Sequence, residues 1–134
     1  MELHQLLPDF RTESFKWIES MEGSLLHLED TPSCYAAINN LFGTIHTLKE
    51  SAGLFGLNEI VVLVGAMENV LVRVCEGEVP SNEHLVTLLL SCCDHMRTLI
   101  GQTSSDWIGR PPLEIATAEN ALLGQLEGYQ GLLK

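Results

Sequence analysis

The chain has 134 residues, 46% of them hydrophobic and 19% charged, which is enough apolar material for one core in a domain of ordinary size. Eighteen acidic residues against seven basic ones give a formal charge of −11, a field that repels phosphate backbones and anionic lipid. Nucleic acid and membrane are therefore not expected as partners. No apolar run approaches the ~20 residues of a membrane span, and Met1-Glu2-Leu3-His4 lacks the basic start of a secretory signal. Cys34, Cys75, Cys92 and Cys93 show neither zinc-ligand spacing nor a plausible disulfide framework, so thiols in a reducing cytoplasm are expected.

Hydrophobic spacing predicts an all-α chain. A first stripe runs through Leu7, Phe10, Ile18, Met21, Leu25 and Leu28, with Ser14 its one polar member. Asp30-Thr31-Pro32-Ser33 ends it and supplies a cap for the next helix. A second stripe uses Ile38, Leu41, Ile45, Leu48, Ala52 and Phe55, and Gly56-Leu57-Asn58 reverses the chain. A third uses Ile60, Leu63, Met67, Val70 and Val74 and stops at Glu76-Gly77-Glu78. The fourth, Leu85, Leu88, Cys92, Met96 and Leu99, starts at Ser81. A weaker fifth, Ile115, Ala118, Leu122, Leu126, Tyr129 and Leu133, follows a loop from Gln102 to Pro112. Helices are thus expected at about 7–29, 33–55, 58–76, 82–101 and 113–131 in a single domain. Short connections favour an antiparallel up-down four-helix bundle with a fifth C-terminal helix packed on it.

The second helix carries the chemically informative residues. His46 follows the core position Ile45, so its ring belongs on the edge of the stripe, partly exposed. Lys49 lies one turn further on, and Gly53 another turn beyond, where its missing side chain leaves the surface open to a close approach. The reversal is centred near residue 57; counting eleven residues back gives His46 and eleven forward gives Glu68. Glu68 follows the core position Met67, so it is expected on a stripe edge facing His46. A carboxylate there would hold one ring nitrogen and leave the other free as a nucleophile.

The run His46-Thr-Leu-Lys49-Glu50-Ser-Ala-Gly53-Leu-Phe-Gly56-Leu, with Met67-Glu68-Asn69-Val70-Leu71 and Glu76-Gly77-Glu78, resembles the histidine phosphotransfer (HPt) domain that begins the chemotaxis kinase CheA. The likeness covers nearly the whole chain. It implies that His46 is the phosphoacceptor, Glu68 orients it and Lys49 positions the phosphate. It implies two partners: a histidine kinase catalytic domain that supplies the group from ATP, and a response-regulator receiver domain whose aspartate takes it. No nucleotide-binding fingerprint occurs here, so the domain binds no cofactor of its own and is not expected to be a catalyst alone. A Met1 start and an end soon after the fifth helix suggest the first piece of a longer kinase; a free-standing relay carrier is the variant.

Two positions depart from the pattern. Glu50 stands where the family has glycine, and Gly43 where it has a basic residue. Glu50 is one helical turn from His46, about 6 Å away, where each unit charge of a phosphohistidine would repel its carboxylate by roughly 0.7–3 kcal/mol. It either tunes transfer or bends outward; a decayed site on a helical adaptor is the competing class. Phe42, Gly53 and Leu54 are candidates for a receiver-docking patch. His84 and His95 read as surface or boundary residues. Metal binding is not expected, because the Glu-x-x-His pairs of di-iron bundles are missing and His46 with Glu50 supplies only two ligands. An isolated monomer is expected, since each stripe finds a place in one bundle.

Overall fold

The computed structural model describes residues 6–30, 35–78, 82–101 and 113–131. Within them are five α-helices and no strand: α1 Leu7–Asp30, α2 Tyr35–Leu54, α3 Asn58–Cys75, α4 Glu83–Gly101 and α5 Leu113–Gly131. Thr31, Ser33 and Cys34, the Ser81 start signal, the Gln102–Pro112 loop with Trp107, and the side chains of Leu7, Ile115, Tyr129 and Leu133 lie outside the described residues.

The apolar faces of α1 to α4, joined by Leu126 of α5, make one core. α1 packs on α2 and α4, α2 on α3, and α5 lies against both α3 and α4, which touch each other only slightly. The four-helix bundle is thus closed on one side by the fifth helix. Ile18, Met21, Leu25, Leu41, Ile45, Leu48, Leu63 and Met67 are at or within 1% of complete burial, on the sides of α1, α2 and α3 that the apolar spacing marks. Phe10 and Phe55 close one end, their ring centroids 4.7 Å apart at a 39° tilt. Ser14, the polar member of the α1 stripe, is fully buried.

The helix ends have identifiable chemistry. Leu57 N–H donates to Ala52 O at 3.0 Å and Gly56 N–H to Gly53 O at 3.2 Å, a Schellman closure of α2. Gly56 sits at φ +70°, a left-handed conformation that side-chain-bearing residues resist. The same closure ends α3, with Glu78 N–H donating to Arg73 O at 2.9 Å and Gly77 at φ +78°. Asn82 caps α4, its Oδ1 accepting from Leu85 N–H at 3.0 Å.

Two elements differ from the sequence expectation. In α5, Ala118 is exposed while its neighbour Glu119 is buried, so the helix presents an acid to the core. His95, expected at the surface or a boundary, is only 9% exposed because α5 covers it. Its Nε2 lies 3.4 Å from Glu119 Oε1. Neither atom makes a hydrogen bond of good geometry among the described residues. The bundle is also tied by Arg97 of α4, whose guanidinium donates to both carboxylate oxygens of Glu22 on α1.

Candidate functional site

α2 owes its site to the one-residue offset between core and surface. Ile45 and Leu48 point inward at 0% exposure, so His46 and Lys49 emerge beside them. His46 is exposed, with 64% of its side chain open to solvent. Phe42, one turn before it, is half-buried and packs against the core. Gly53, two turns after it, is exposed, and an added Cβ there would meet nothing within 4 Å. Leu54 at the helix end is 71% exposed, whereas Phe55 is in the core. Phe42, His46, Glu50 and Gly53 therefore follow one another along the solvent-facing side of α2. Thr47 keeps its hydroxyl off this surface by donating to Gly43 O at 3.0 Å.

The acid on the imidazole is not the expected one. His46 Nε2 lies 3.1 Å from Glu50 Oε1, a contact within α2. Glu68 meets Lys49 instead, Oε1 to Nζ at 3.6 Å across the α2–α3 boundary. Glu68 reaches Lys49, one turn along α2 from the ring, and the carboxylate one turn away on the same helix takes the histidine. His46–Glu50 and Lys49–Glu68 are thus two neighbouring pairs in place of a His46–Glu68 pair.

Beside the Lys49–Glu68 pair lies an open cleft of about 450 Å³ between α2, α3 and α5. Lys49 and Glu68 form its edge, Val61, Gly65 and Ala66 its α3 wall, and Leu123 and Glu127 its α5 wall. Val62, which also lines it, is 52% exposed. Among the described residues Lys49 is the one cation on its lining, so an anion placed there meets that ammonium.

Elsewhere, no group of three or more His, Cys, Asp or Glu side chains is arranged to hold a metal ion among the described residues. Nor is any described helix long and apolar enough to cross a membrane. Cys92 and Cys93 are buried and Cys75 is exposed. Burial, and next the charge of Glu119, pushes the Cys92 thiol up to about 12, so it is no nucleophile at neutral pH. Sequence reasoning missed the buried His95–Glu119 pair. The available signal was that His95 lies between the core positions Cys92, Met96 and Leu99, where only a covering helix decides its exposure.

The chain is similar to known proteins. The Hpt domain profile matches residues 5–100. The sensor histidine kinase CheAY of Helicobacter pylori is 32% identical over 108 residues, which is 78% of this chain and 13% of that protein. The chemotaxis protein CheA of Listeria monocytogenes is 30% identical over 95 residues, 71% of this chain and 15% of that protein. The chain therefore spans only a small part of the length of these relatives. Among solved structures, the phosphorylated P1 domain of CheA3 in complex with CheY6 from R. sphaeroides has a TM-score of 0.84. The match covers 98% of this chain and 100% of that one at 22% identity, a likeness of fold.

Proposed function

Because the chain belongs to the Hpt domain family, we propose that it is a phosphoryl carrier in a chemotaxis-type relay, with His46 as the residue that is loaded and unloaded. The observation that carries this reading is the exposed imidazole on α2, 64% open and one helical turn from Lys49. An imidazole nitrogen attacks the γ-phosphorus of ATP held by a separate kinase domain. The N–P bond forms as the P–O bond to ADP breaks, and ADP leaves with the electron pair. A receiver aspartate then attacks the same phosphorus, and the N–P electron pair returns to the ring.

Each neighbouring residue has a distinct part. Lys49 offsets the charge near −2 of the phosphoryl group, and Glu68 holds that ammonium in place rather than holding the ring. The open surface along Phe42, Gly53 and Leu54 admits the receiver domain. The chain itself binds no nucleotide or metal in this scheme, works as a monomer in the cytoplasm, and forms part of a longer CheA-type kinase.

The test is incubation with a CheA-type kinase domain and γ-labelled ATP, with His46→Gln as control. Label on the native chain, lost in His46→Gln and discharged by a receiver domain, supports the carrier. A native chain that stays unlabelled beside a CheA positive control leaves a helical adaptor, the reading favoured by a carboxylate already seated on His46.

A further inference from the structure

Glu50 is the residue of this site that the carrier scheme leaves without a part. Its Oε1 lies 3.1 Å from His46 Nε2, with both side chains standing mostly in solvent. Nε2 is the outer ring nitrogen, farther from Cγ and the helix than Nδ1, so an approaching phosphoryl donor meets it first. The contact is a close charge pairing rather than an aligned hydrogen bond, and a carboxylate at that distance favours the tautomer that carries its proton on Nε2. The ring proton then resides on Nε2, and the lone pair there is withdrawn from attack.

We propose that Glu50 is a positioning residue that caps His46 Nε2, lowering the equilibrium load of phosphohistidine and raising its tendency to pass the group onward. The inference rests on the carrier reading above. Loading requires the carboxylate to swing aside and the ring proton to move, through solvent, to Nδ1. The Nε2 lone pair then forms the N–P bond, the P–O bond to ADP breaks, and Nδ1 retains its proton. The loaded state has lost the Glu50 contact and gained a dianion one helical turn from that carboxylate. Lys49 offsets this only in part, since its ammonium is already shared with Glu68 at 3.6 Å. Both effects favour the unloaded ring. They leave the receiver-bound product untouched, so the transfer equilibrium moves toward the aspartate.

Glu50→Gln tests this, because it keeps the size of the side chain, removes its charge and adds an amide N–H that can donate to an unprotonated Nε2. The full chain is equilibrated with a CheA-type kinase domain at fixed ATP and ADP, and phosphohistidine is quantified at low and at high salt. The variant is expected to raise the loading constant roughly three- to tenfold at low salt, with the gain shrinking as salt screens the pair. Long-range ¹H–¹⁵N spectra of the unloaded ring should show the Nε2–H form enriched in the native protein and depleted in Glu50→Gln. A purely structural role for Glu50 would move neither readout. Equal loading constants at both salt concentrations, or unchanged ring tautomers, overturn the cap while leaving the carrier intact. A native chain with no His46-dependent label overturns the carrier, and the cap with it.

Discussion

Lys49 and Glu68 meet at 3.6 Å across α2 and α3, which assigns the glutamate opposite the site to the lysine and not to the histidine. Their side chains are 40% and 27% exposed, so the pair adds at most about 1 kcal/mol to stability. Its value lies in where it puts the ammonium. Lys49→Met is expected to shift the urea midpoint little and to slow loading of His46 by roughly tenfold, from the loss of a charge worth ~1.4 kcal/mol. Glu68→Gln frees the ammonium and should produce a smaller effect. Rates from label incorporation, set beside denaturation curves, check both; a Glu68→Gln loss larger than that of Lys49→Met would restore Glu68 as the acid on the ring.

The buried pair of His95 and Glu119 ties α5 to the bundle, at 7% and 8% side-chain exposure. Removing one partner leaves the other buried without a contact. Glu119→Ala should therefore cost about 2–4 kcal/mol, while His95→Leu with Glu119→Leu together should stay within about 1.5 kcal/mol of native. Urea denaturation gives the cycle. Hydrogen exchange should show α5 amides losing protection first in Glu119→Ala, because α5 is the element the pair holds.

How much of this was legible beforehand depends on the length scale of each signal. Helices and turns follow from local spacing: Ile45 and Leu48 mark the buried side of α2, and Gly56 and Gly77 mark left-handed closures. His46 and Lys49 were legible for the same reason, as neighbours of core positions. The partner of His46 was not. Register counting places Glu68 level with the ring but cannot resolve a choice among three side chains within one turn, and Lys49 and Glu50 decide it by proximity. His95 was misread because α4 is covered on a second side by α5, and the sequence between them carries no register information. In α5 itself the apolar spacing is weak, and Ala118 and Glu119 exchange the places that hydrophobicity alone would give them.

Glycines on α2 should respond in opposite directions. Gly56 at φ +70° closes the helix, so Gly56→Ala should cost about 1 kcal/mol through backbone strain. Gly53 lies inside the helix with open space around an added Cβ, so Gly53→Ala should stabilise by ~0.5–1 kcal/mol. The same methyl group stands on the surface proposed to admit the receiver. Gly53→Ala should then load normally from the kinase yet discharge more slowly to the receiver, a split that a stability change alone does not produce. Equal discharge rates would move the docking surface away from this face.

The two buried thiols of α4 predict a loss of stability on the alkaline side. Burial raises Cys92 from 9.0 to about 12, with the charge of Glu119 adding to it. Cys93 is pushed up as well, by burial first and then by Glu22. Once unfolded, both thiols return to the ordinary range. Below about pH 9 both states keep the proton, and the thiols give stability no pH dependence. Between about pH 9 and pH 12 the unfolded chain releases protons that the folded chain retains, so unfolding gains about 1.4 kcal/mol per pH unit for each thiol. Urea midpoints measured from about pH 8 to about pH 10.5 should fall, and the fall should be shallower in Cys92→Ala with Cys93→Ala. The comparison is between slopes, since the small cavities left by the alanines lower both ends of the curve alike. Parallel slopes would mean that these thiols ionise without unfolding, and that α4 is more open to water than its packing against α1 and α5 implies.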